Sequence, residues 1–179
     1  MPIPTLLPLE EHPAHEVLNF YTYSGTIPVN RGTFVKIGGS GFTSESNDTQ
    51  FLGNPGAAYG NTVSQRYGVL PYVSVCTSGS TPIGCLLFDV KEVDENGDRL
   101  ILHPHKWHEI HAVPSGKAVP ILTRGNVMYS GISGTVTAGQ TLRVSDDGGL
   151  NTVGAAAAAA VALGAKDSKG WCYIKVNCV

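Results

Sequence analysis

Between Gly97 and Gly116 the chain reads Gly97-(x5)-His103-Pro104-His105-(x3)-Glu109-(x6)-Gly116, and these are the residues whose types and spacing best suit chemistry. Two imidazoles and a carboxylate suit a divalent ion, which then serves as a Lewis acid or an oxygen-binding centre. On a strand, His103 and His105 share one face, because side chains repeat every second residue. Two features weigh against such a centre. Pro104 removes a ladder donor between the histidines, and no histidine follows His111, so three ligands is the most this stretch offers. His108 and His111 add two more imidazoles, and a histidine-rich surface edge with adventitious affinity for nickel or zinc accounts for the same residues.

The spacing matches the first metal-binding motif of the cupin family. That family's second motif supplies a further histidine downstream, which this chain does not have. The resemblance implies an alternative function, a metal-dependent enzyme or binder of cupin type with His103, His105 and Glu109 as ligands. Other candidates have simpler accounts. Asp94-x-Asn96-x-Asp98 opens like a calcium loop, but Arg99 and His105 stand where an EF-hand needs glycine and glutamate. Its Asn96-Gly97 pair is a strong hairpin signal instead. Asp146-Asp147-Gly148-Gly149 is a turn by composition. Gly38-Gly39-Ser40-Gly41 lacks a phosphate-loop lysine, and no Gly-x-Ser-x-Gly elbow exists, so no residue is assigned a catalytic role and no cofactor is expected.

The elements that must position these residues are strands. From Val113 to Ser145 short apolar or alternating runs are closed by glycine at 116, 125, 131, 134 and 139. Val119–Leu122, Asn126–Ser130, Gly134–Thr137 and Thr141–Ser145 each carry strand patterning, and in the last Leu142 and Val144 share a face opposite Arg143. Thr33–Ile37, Val69–Cys76, Ile83–Val93 and Trp171–Asn177 continue the pattern, with Arg99–Leu102 returning from the Asn96-Gly97 turn. The pattern predicts an all-β fold, a small barrel or sandwich-like domain. The alanine run within Gly154–Gly164 favours helix by propensity, yet two close glycines also suit a small-residue strand.

With 179 residues the chain is long enough for a real core. We expect a single β-rich domain over residues 26–179, with a long loop over 38–62, preceded by an extended proline-rich arm over residues 1–25. Pro2, Pro4, Pro8 and Pro13 keep that arm from regular helix, while Leu6, Leu7, Leu9, Phe20 and Tyr21 are too apolar for a free tail. These five are the interface candidates. Charged residues make up only 15 % of the chain, which fits either a surface partly covered by other subunits or a Gly/Ser/Thr-rich β surface. A net charge of −2 without a Lys/Arg cluster argues against nucleic-acid and membrane partners. The start carries no basic region of a signal peptide. Cys76, Cys85, Cys172 and Cys178 are expected to be free, buried thiols.

The segment Gly116–Val176 resembles the head decoration (capsid cement) proteins of tailed bacteriophages. The likeness lies in S-G-K-A-V-P-I-L-T-R-G-N-V, in T-A-G-Q-T-L-R-V-S-D-D-G-G-L, and in A-A-A-V-A-L-G-A ahead of W-C-Y-I-K-V. It implies a β-rich virion protein without enzymatic activity, made in the host cytoplasm and placed on the capsid exterior. It also implies a homotrimer that binds the major capsid protein and bridges coat subunits, and it makes the alanine run a strand. A receptor- or glycan-binding module of a virion is a further reading that these patterns do not separate from the first.

Overall fold

The computed structural model describes residues 3–38, 72–154 and 157–178, save the side chain of Phe20. Within them the chain is all-β, with fourteen strands and little helix. Five strands close into a barrel: β2 (Val17–Tyr23), β4 (Tyr72–Val75), β3 (Phe34–Ile37), β5 (Gly84–Leu86) and β8 (Ala118–Leu122). Seven form a second sheet in the order β1 (Thr5–Pro8), β9 (Arg124–Ser130), β14 (Cys172–Asn177), β13 (Ala158–Ala162), β11 (Thr141–Val144), β12 (Leu150–Asn151) and β10 (Ile132–Ser133). A short parallel pair, β6 (Asp89–Val90) and β7 (Ala112–Val113), lies beside the barrel strands.

The apolar runs of the sequence follow from this layering. Barrel strands β3, β5 and β8 each carry a pair of adjacent buried apolar residues, Phe34-Val35, Cys85-Leu86 and Ile121-Leu122, because both faces are covered there. Val35, Leu86 and Ile121 belong to the barrel's own core with Tyr21, Val73 and Val119. Their neighbours Phe34, Cys85 and Leu122 belong to a second core, shared with Leu6, Tyr129, Leu142, Ile174 and Val176 of the seven-stranded sheet. That sheet has one covered face, and its strands alternate accordingly: β14 is buried at Cys172, Ile174 and Val176 and exposed at Tyr173, Lys175 and Asn177. Gly148 seats the β11–β12 turn against the barrel. Its φ is +73°, its carbonyl accepts from Phe34 N–H at 2.8 Å, and a Cβ there would lie 2.6 Å from the Thr33 methyl.

All four cysteines are free; Cys76, Cys85 and Cys172 are buried and Cys178 is half-buried. Burial pushes the Cys85 thiol well above its ordinary range, and burial, with Cys76 adding to it, pushes Cys178 up to about 12.

The structure resolves one open reading and corrects others. The alanine run, open between helix and strand, is strand β13: Ala159, Ala160 and Ala162 pack in the second core, and the strand pairs with β11 and β14. Gly134–Thr137 is irregular: the Lys166 ammonium donates to the Ile132 and Gly134 carbonyls at 2.7 and 2.6 Å, acceptors that a continuing ladder would need. Ile83–Val93 is broken into β5 and β6, and Leu100–Leu102 is a 3-10 turn, not a returning strand; only Val93 and Arg99 bridge across the Asn96-Gly97 turn. The loop expected over 38–62 falls, apart from Gly38, outside the described residues, as do Val69, Leu70 and Pro71. Within residues 1–25, Thr5–Pro8 is the edge strand of the seven-stranded sheet and Val17–Tyr23 is a barrel strand.

Candidate functional site

The histidine-rich stretch does not form a strand. Pro104–Glu109 is a single helix, α1, with His103 preceding it. Pro104 sits at the first helical position, where its fixed φ is preorganised and its missing N–H costs nothing. The proline that weakens a strand therefore starts a helix. His103, His105 and Glu109 are all exposed. His103 precedes the helix with a non-helical backbone and His105 lies in its first turn, so the two do not share a strand face. Among the described residues no three His, Cys, Asp or Glu groups are arranged to hold a metal ion. The cupin-type ligand geometry is thereby overturned.

Helix α1 is fastened through the Asp94–Asp98 turn. Asp94 Oδ1 accepts from the Asn96 and Asp98 backbone N–H groups, each at 2.8 Å. Its other oxygen pairs with the Lys106 ammonium, which also reaches Asp98 at 3.3 Å. The Lys106 hydrogen bond, helped by those two N–H groups, holds the Asp94 carboxyl at about 2, and the same contact raises Lys106. The carboxylates that resembled a calcium loop thus clamp a helix.

That clamp sets α1 over a cavity of about 320 Å³ whose walls include Phe88, Trp107 and Pro120, with Asn19, His108 and Lys117 as polar members. Strand β2 bulges here: Leu18 faces Ile121 and Tyr21 faces Val119, so Asn19 and Phe20 together oppose Pro120. Pro120 has no N–H to offer a partner, which is where a bulge is tolerated.

The other candidate is the uncovered face of the seven-stranded sheet. Cross-strand register places Leu7 opposite Met128 and Met128 opposite Tyr173, and Leu163 N–H donates to the Tyr173 carbonyl at 2.8 Å. These four side chains form an apolar row across four strand positions. Leu7, Tyr173 and Leu163 are 39 %, 50 % and 51 % exposed. The next row runs Asn126, Lys175, Val161, Thr141. Arg124 and Arg143, by strand alternation, lie on the same face.

Of the five interface candidates, Leu7 is exposed in this row and Leu9 is exposed beyond β1, whereas Leu6 and Tyr21 are buried in this chain's own two cores. The side chain of Phe20 lies outside the described residues. Alternation over 171–177 already sets Tyr173 and Lys175 apart from the buried residues of that strand. Their alignment with Leu163, Met128 and Leu7 depends on strand pairing, which for Leu7 and Met128 joins positions more than a hundred residues apart, and no local signal carries that. Comparison of the chain with protein-family models, with curated proteins and with solved structures finds no match.

Proposed function

We propose that this chain is a structural virion protein, a capsid decoration protein that binds the major capsid protein on the outer surface of a head and bridges coat subunits. The observation that carries the reading is the apolar row Leu7–Met128–Tyr173–Leu163 on a sheet face that nothing else in the described chain covers. Lys175 stands in the row beside it, which fits a partner surface with acidic groups. The likeness of Gly116–Val176 to capsid cement proteins points the same way.

The magnitudes suit a repeated contact. A large apolar side chain yields about 1.5–3 kcal/mol when fully covered, so a half-exposed one yields roughly half of that. One copy of this row therefore supplies a few kcal/mol before ordering costs. A homotrimer presenting three copies to a symmetric capsid raises the effective concentration of the second and third contacts. Trimerisation belongs to the same reading.

Co-sedimentation with undecorated capsids tests it. Replacing both Tyr173 and Leu163 by Asp is expected to abolish co-sedimentation while circular dichroism stays unchanged, since both side chains already face solvent. Light scattering is expected to give a trimer mass. Wild-type binding by the double variant would refute the assignment of this face, and a monomer at high concentration would refute the trimer.

A further inference from the structure

The cavity beneath helix α1 is separate from the sheet face and plays no part in the reading above. Its walls are built from three directions: Trp107 and His108 from α1, Lys117 and Pro120 from the segment of β8, and Phe88 from the approach to β6. Phe88 is held by an edge-to-face contact with His111, ring centres 5.3 Å apart. Trp107 is likewise against His108 at 5.6 Å. Both rings are thus braced, as the walls of a preformed site are.

Two observations point to a ligand. First, the volume: an apolar cavity of about 150 Å³ accommodates benzene, and this one, at about 320 Å³, has room for one or two fused rings with a short substituent. Second, the charge: the ionisable members are Lys117 and His108, and no carboxylate lines the cavity among the described residues.

These requirements select one chemistry. The ligand presents a flat apolar face to Trp107 and Phe88, and an anionic oxygen to Lys117 and His108. A sugar acid carries charge but also several hydroxyls, each needing a partner, and Asn19 is the one side-chain amide in the wall. We propose that the cavity between helix α1 and strand β8 binds a small aromatic carboxylate, its ring against Trp107 and Phe88 and its carboxylate at Lys117.

The chain has two tryptophans, Trp107 and Trp171, so a ¹H–¹⁵N spectrum shows two indole signals, and Trp171→Phe assigns them. Titration of the full chain with indole-3-acetate is expected to shift the Trp107 signal saturably and to leave Trp171 unmoved. Lys117→Gln, at an exposed position, is expected to weaken indole-3-acetate about tenfold or more, the worth of a charge-assisted hydrogen bond. Uncharged indole is expected to bind more weakly and to be indifferent to Lys117→Gln. The proposal falls if indole-3-acetate leaves the Trp107 signal in place at millimolar concentration, or if Lys117→Gln leaves its affinity unchanged. It falls equally if glucuronate binds more tightly than indole-3-acetate. Because no capsid enters the measurement, neither result bears on the sheet-face reading.

Discussion

Leu6 decides what the first residues of this chain are. An arm laid on a neighbouring subunit contributes to assembly and nothing to the stability of one chain. An edge strand contributes to both. Leu6 is fully buried, pairs with Tyr129 and belongs to the core shared by barrel and sheet. Its surroundings have little slack, since a Cβ on Gly32 would lie 3.1 Å from the Leu6 Cβ and 3.0 Å from the Thr5 carbonyl carbon. Truncating a buried leucine costs about 2–5 kcal/mol, with the higher values where the site does not collapse around the void. Leu6→Ala is therefore expected to lower unfolding free energy by about 3–5 kcal/mol. Leu7→Ala, one residue along and facing outward, is expected to change it by no more than about 0.5 kcal/mol. Urea unfolding of both variants at equal slope measures the difference. If Leu6→Ala is as stable as Leu7→Ala, strand β1 is not part of this chain's core, and residues 1–8 act as an arm.

Three further predictions concern the thiols and Asp94. Burial holds Cys178 at about 12 against an ordinary value near 9.0, so its thiol stays neutral in the folded chain while the unfolded chain ionises. Stability is expected to fall as pH rises from about 9 towards 12, by up to about 4 kcal/mol from this thiol. Cys178→Ala should flatten that decline in pH-dependent denaturation, and an unchanged decline would refute the assignment. In iodoacetamide labelling the native thiols should react slowly and all four react after unfolding without reductant; two protected pairs would contradict the free-thiol reading. The Asp94 carboxyl lies at about 2, below its unfolded value of 3.8, so its contribution is present above about pH 4 and is lost as pH falls towards 2. Asp94→Asn removes it at neutral pH, and hydrogen exchange over residues 104–110 should accelerate in that variant; unchanged protection would show that α1 does not depend on the clamp.

Much of the candidate docking face was legible locally. Alternation in Trp171–Asn177 and Asn126–Ser130 separates buried from outward residues because one face of that sheet is covered and the other is not. The histidine stretch was not legible in the same way. His103-Pro104-His105 satisfies a period of two, but three residues carry too little pattern to outweigh Pro104, whose ring geometry suits the first turn of a helix. The aromatic cavity left no mark at all, since Phe88, Trp107 and Lys117 meet only through the packing of α1 on β8.

What the residues by themselves determine is the class of structure: short apolar runs cut by glycine make strands, and no stretch has the length and period of a long helix. They also determine that Phe34-Val35, Cys85-Leu86 and Ile121-Leu122 are strands covered on both sides, because two adjacent apolar residues on a strand point in opposite directions. Tertiary structure alone decides what covers each side, and it decides it through pairing. Strand β2 runs parallel to β4 and antiparallel to β8, which closes the barrel and turns Phe34, Cys85 and Leu122 outward onto the second sheet. The alanine run shows the same division. Local propensity favours helix by a few tenths of a kcal/mol per residue. Burial of Ala159, Ala160 and Ala162 in the second core, with the strand paired to both β11 and β14, outweighs that preference.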